Sequence, residues 1–136
     1  MRLETKGDIR PPPKLKGPAQ RVSLEIQSWP GVIAATHWFL YDCTQVDGAD
    51  FYVGEKELGH IHLDGELHLG VTVGLRRQLV KAGRAAALPW AEDWVQAAIS
   101  NRQDARNALW LFQLGYDRLI GAPIADLRRR VREAVR

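Results

Sequence analysis

The chain has 136 residues, 46% apolar and 26% charged, the make-up of one ordinary globular domain with room for a hydrophobic core. Nothing approaches the ~18 consecutive apolar residues of a membrane span, and the lone Cys43 excludes a disulfide framework and a cysteine-rich zinc site. The net charge of +3 sits at the ends: residues 1–17 and residues 121–136 each carry five basic and two acidic side chains, leaving nine against twelve between them. A nucleic-acid binder needs a basic stripe on its folded surface, so neither nucleic acid nor a membrane is expected as a partner. Met1 to Lys6 lacks the apolar stretch of a secretory signal, which makes a cytoplasmic protein the expectation.

In chain order, residues 1–17, with Pro11-Pro12-Pro13 and scattered lysines, read as a flexible basic arm. Residues 18–136 read as a single domain. Pro18 to Ser28 is a short predicted helix, and Pro30-Gly31 a turn. Val32 to Tyr41 and Asp50 to Val53 are rich in β-branched and aromatic residues and are predicted strands, joined by a loop from Thr44 to Gly48. His37, among Thr36, Trp38 and Phe39, reads as a structural strand histidine. The five tryptophans read first as core.

Lys56 to Val71 is the most informative stretch. It holds His60, His62, His68 and Glu66 around Asp64-Gly65, a strong hairpin signal. A two-residue turn would split the histidines between the faces. A three-residue turn, Leu63-Asp64-Gly65, with Gly65 as its left-handed residue, sets His62 opposite Glu66 and His60 opposite His68. It also collects Ile61, Leu67, Leu69 and Val71 on the other face, leaving Leu58 among the polar residues. A buried face sets strand register, so the three-residue turn is expected. Burying three imidazoles and a carboxylate without partners would cost several kcal/mol. Helices should therefore cover the apolar face, with the histidine face as the floor of a cleft.

Helical signals follow. Gly74 to Ala82 is a predicted helix ended by Gly83, and Trp94 to Ile99 a further strand. Ser100 and Gln103 suggest a capping box for a helix from Asn101 to Leu119, with Ala105, Ala108, Leu109, Phe112, Tyr116 and Leu119 at helical spacing. Pro123 suits the first turn of a last helix, with a stripe of Ile124, Leu127, Val131 and Val135. Arg128, Arg129, Arg130 and Arg132 read as its solvated face. The fold class is α+β: an antiparallel sheet of four to five strands, helices packed on one face, two of them C-terminal.

Gly54, His60, His62 and Glu66 fit the first cupin motif, with Gly74 one place late. A metal-dependent cupin-like dioxygenase would need a second motif with another histidine, and none follows His68. A metal-free protein is expected.

A wider resemblance spans residues 20 to 120. Ser28-Trp29-Pro30-Gly31-Val32, Glu57-Leu58-Gly59-His60-Ile61-His62, Gly83-Arg84-Ala85, Trp94-Val95 and Ala108 to Tyr116 resemble the bacterial "luciferase domain" family, small proteins similar to fungal bioluminescence luciferases. Two positions depart from its pattern: Leu88 stands where members often have histidine, and His68 where they often have aspartate. The resemblance implies a cofactor-independent enzyme that uses oxygen on an enolisable or aromatic small molecule. His60 or His62 would be the catalytic base, and the second imidazole or Glu66 would hold substrate oxygens. His68 and Trp94 would complete the substrate site, Trp94 as a wall for a planar ligand. The alternative is a non-catalytic binding or interaction module with structural histidines.

Overall fold

The computed structural model describes residues 8–134. Helix α1 (Pro18–Gln27) leads into strands β1 (Val32–Phe39), β2 (Asp42–Val53), β3 (Lys56–His62) and β4 (Glu66–Gly70). Helix α2 (Val73–Lys81), the short β5 (Ala86–Ala87), β6 (Trp94–Ala98), α3 (Arg102–Leu119) and α4 (Ile124–Glu133) complete the domain. All strand pairs are antiparallel, in one six-stranded sheet of order β1-β2-β3-β4-β6-β5. The two-residue β5 is the strand that periodicity alone does not reveal.

The hairpin between β3 and β4 has the expected register, with His60 opposite His68 and Ile61 opposite Leu67. Its turn closes by a hydrogen bond from the Gly65 amide to the His62 carbonyl (2.9 Å), with Gly65 at φ +90°, where other residues are strained. Ile61, Leu67 and Leu69 are fully buried beneath α3, and α1 packs on β1 and β2. The helices thus cover the apolar face, and the histidine face is the one they leave uncovered.

Leu58 departs from expectation. The pairing of β2 and β3 shifts register between Phe51–Gly59 and Tyr52–Glu57, so Leu58 is an extra residue. At such a bulge two successive side chains share a face. Leu58 turns into the core, 0% exposed, while Glu57 moves to the histidine face. The predicted loop Thr44 to Gly48 is also corrected: it lies within β2, which reaches back to Asp42 through two register shifts against β1. The shifts explain the broken alternation that made it read as a loop.

Helix α3 starts one residue later than its sequence suggests. Asn101 caps it by accepting from the Asp104 amide at 2.8 Å, and the Asp104 carboxylate accepts from the Ser100 amide at 3.0 Å. Ser100 and Gln103 do not form the box. Asn101→Ala is expected to cost about 1 kcal/mol, readable as a lower urea midpoint at unchanged m. In α4, Arg129 pairs with Asp126 and Glu133, and Arg130 with Asp117, so part of the arginine run is engaged within the chain. Val135 and residues 1–7 lie outside the described residues. Residues 8–17 of the arm run beside β1: the Thr36 amide donates to the Arg10 carbonyl (2.8 Å), and the Trp38 indole to the Asp8 carbonyl (2.8 Å). Among the described residues, no helix is long and apolar enough to cross a membrane.

Candidate functional site

The uncovered face of the sheet gathers polar side chains from four adjacent strands. Register alone places His37 (β1), Asp50 (β2), His60 and His62 (β3) and His68 and Glu66 (β4) side by side, since Asp50 pairs with His60 and His60 with His68. Two further carboxylates arrive through irregularities. The bulge at Leu58 turns Glu57 in, and the shift between His37–Gly48 and Trp38–Val46 presents Asp47. All the histidines of the chain meet here. His37, read from sequence as a structural residue apart from the hairpin, stacks on His60 with centroids 4.0 Å apart and planes 10° from parallel.

Each hairpin imidazole has one nitrogen on a carboxylate and the other on a neighbouring imidazole. His60 Nδ1 lies 3.0 Å from Glu57 Oε2, His62 Nδ1 2.8 Å from Asp47 Oδ2, and His68 Nε2 2.9 Å from Glu66 Oε1. On the inner side, His60 Nε2 and His62 Nε2 stand 3.1 and 3.2 Å from His68 Nδ1. His37 Nδ1 is 3.2 Å from Asp50 Oδ1 but off the direction of a hydrogen bond, so it is buried without one.

Burial governs the electrostatics. It pushes the His60 imidazole down to about 3, against the opposing pull of Glu57, and it lowers His62 against Asp47. Both rings are therefore neutral at pH 7. Burial likewise raises the Asp50 carboxyl to about 6, opposed by His37.

Trp94 lies beside the cluster, its ring 5.8 Å from that of His60 and over Gly70, where a Cβ would meet the indole at 3.3 Å. Trp90 contradicts its reading as core: it is 74% exposed, at the rim, 5.8 Å from His68. A depression of about 820 Å³ adjoins the site and is lined by Glu57, Gly70, Trp94, Asp93 and Arg118 among others, but by none of the histidines. This corrects the expectation that the histidine face is itself the cleft floor. Stacked on one another and held by carboxylates, the imidazoles are only 8–20% exposed, and the opening lies to their side.

All five site residues inferred from sequence, His60, His62, Glu66, His68 and Trp94, thus share one face and one neighbourhood. Asp47, Asp50, Glu57 and His37 were not in that set. The one local signal for Asp50 is a carboxylate set among Ala49, Phe51 and Tyr52, in a stretch that is buried throughout.

A family model described as Luciferase domain matches residues 55–115, from the start of β3 into α3. That stretch, which holds His60, His62, Glu66, His68 and Trp94, is similar to the luciferase-domain family. No curated protein and no solved structure matches the chain.

Proposed function

We propose that the chain is an enzyme that uses molecular oxygen on an enolisable or aromatic small molecule bound beside Trp94. The observation that carries this reading is the His62–Asp47 pair. A carboxylate 2.8 Å from Nδ1 holds the proton there and leaves Nε2 as the acceptor. His60, pushed to about 3, is a poor base and suits positioning. His62 is the most exposed of the four rings and is the better proton acceptor. Removal of an enol proton leaves an electron-rich anion that passes electrons to oxygen, consumed as co-substrate. Glu66 and His68 would hold substrate oxygens, and Trp94 would stack on a planar ring. A cytoplasmic location goes with this reading, since Cys43 is a free, exposed thiol suited to a reducing compartment.

The test is oxygen consumption with a panel of β-diketones, α-pyrones and catechols. Turnover is expected with at least one class, and His62→Ala should slow it about 10²–10⁴-fold, the usual range for loss of a general base. Its melting temperature should stay within a few degrees. Equal rates in wild type and His62→Ala, or no consumption with any member, would remove the reading. One observation favours the non-catalytic module: the histidines bond mainly to one another and line no part of the large depression. On that reading His60→Ala and His62→Ala lose stability and no panel member binds.

A further inference from the structure

We propose that the histidine cluster binds one divalent first-row transition-metal ion, with His60 Nε2, His62 Nε2 and His68 Nδ1 as ligands. The inference goes beyond the proposed reaction and does not rest on it. It begins with where the ring protons sit. A neutral imidazole has one N–H and one lone pair. Glu57, Asp47 and Glu66 lie 3.0, 2.8 and 2.9 Å from the outer nitrogens of His60, His62 and His68. In the tautomer that donates each outer N–H to its carboxylate, the three inner nitrogens carry lone pairs, and those of His60 and His62 stand 3.1 and 3.2 Å from that of His68. That arrangement calls for something positive among them.

An extra proton is one candidate. It would place a full imidazolium charge in a pocket where the rings are 8–20% exposed, and it could bridge only one pair of nitrogens at a time. A metal ion satisfies all of them together. Nitrogens bound at 2.0–2.1 Å to one tetrahedral ion lie about 3.3 Å apart, close to the separations found here. Metal-ligating histidines also characteristically donate their other N–H to a carboxylate, which fixes the ring and raises its basicity. Here every one of the three does so. His37 is the further candidate donor on this face, since one ligand atom each of His37, His60 and His62 lie within 4.8 Å of one another.

The sequence expectation of a metal-free protein rests on the lack of a second histidine block after His68 and on the resemblance to a family not known to need a metal. The sheet supplies those donors laterally instead, from β4 and β1 on either side of β3 and β2. Imidazole donors favour zinc, iron, copper or nickel over magnesium and calcium. With an ion bound, the imidazoles would serve as ligands and the ion would stabilise an enolate oxygen, so His62 would no longer be the base while the substrate class is kept.

The experiment uses the full chain, stripped with chelator, desalted and titrated with Co²⁺, read by visible d–d absorption and by displacement with Zn²⁺. One equivalent is expected to bind with micromolar or tighter affinity, unaffected by millimolar Mg²⁺ or Ca²⁺. His62→Ala and His68→Ala should each weaken binding by about 100-fold or more. Asp47→Asn, which leaves every ligand in place, should weaken it about 10–100-fold through the orientation of His62. Circular dichroism on each variant separates lost ligation from lost folding, and Asp47→Asn keeps the test alive if a histidine variant does not fold. No uptake by the folded wild type, or uptake unchanged in a His60→Ala/His62→Ala double variant, would overturn the proposal. Co²⁺ binding without oxygen consumption would support the ion and remove the reaction. Oxygen consumption by stripped protein that takes up no metal would support the reaction and overturn the ion.

Discussion

Phe112→Ala is expected to lower the free energy of unfolding by about 3–5 kcal/mol, as truncation of a fully buried phenylalanine typically does. Phe112 is 0% exposed and sits where α3 meets the sheet, edge-on to Phe51 with centroids 5.8 Å apart. Gly59 lies beneath it, and a Cβ there would approach the Phe112 ring at 3.1 Å. The ring therefore fills the space that the missing side chain leaves, on the strand that also carries His60 and His62. Urea unfolding followed by far-ultraviolet circular dichroism measures the loss. A change below about 1 kcal/mol would mean that α3 is not seated on β3 as described.

Gly48→Ala is expected to be as damaging, at about 3 kcal/mol or more, by overpacking rather than by a void. A Cβ at position 48 would come within 2.0 Å of the Ile61 carbonyl oxygen and 2.8 Å of the His62 Cα. Both are backbone atoms, so no rotamer change relieves the clash and the two strands must part. Gly48 pairs with His37 on one side and His62 on the other. The substitution should thus separate His37 from His62 as well as destabilise the domain. The comparison is with Gly74→Ala, at a position with no atom within 4 Å of the added carbon and with a helical place where alanine is favoured. If both variants melt at the wild-type temperature, the close approach of β2 to β3 is wrong.

The hairpin was legible because two local constraints agree. Gly65 supplies the left-handed turn residue, and only one register buries Ile61, Leu67 and Leu69 together. The long helix was legible from its apolar spacing, although its cap fell to Asn101, a residue equally suited to the role. Leu58 was misplaced because strict alternation cannot register an extra residue; the bulge is forced by pairing with β2, which is distant in sequence. The same reason hid Asp47 and Glu57, whose neighbours suggest solvent-facing positions. His37 and Asp50 were missed differently. Each lies in a strand whose partners are set by lateral order in the sheet, and a linear pattern does not carry that order. The hairpin half of the site was readable from the chain, and the half contributed by β1 and β2 was not.

The eight ionisable side chains of the cluster all come from strands and none from a loop. Their spacing is therefore set by the sheet's own ladder, which holds neighbouring strands about 4.8 Å apart. The large exposed residues at the strand ends, Leu40, Tyr41 and Trp90, belong to turns with no share in that ladder. Position within the cluster and variation at these turns are therefore set by separate parts of the chain. Grafting a different turn at Leu40–Tyr41 or around Trp90 should leave the imidazoles in their places, which makes the sheet a workable scaffold for redesign.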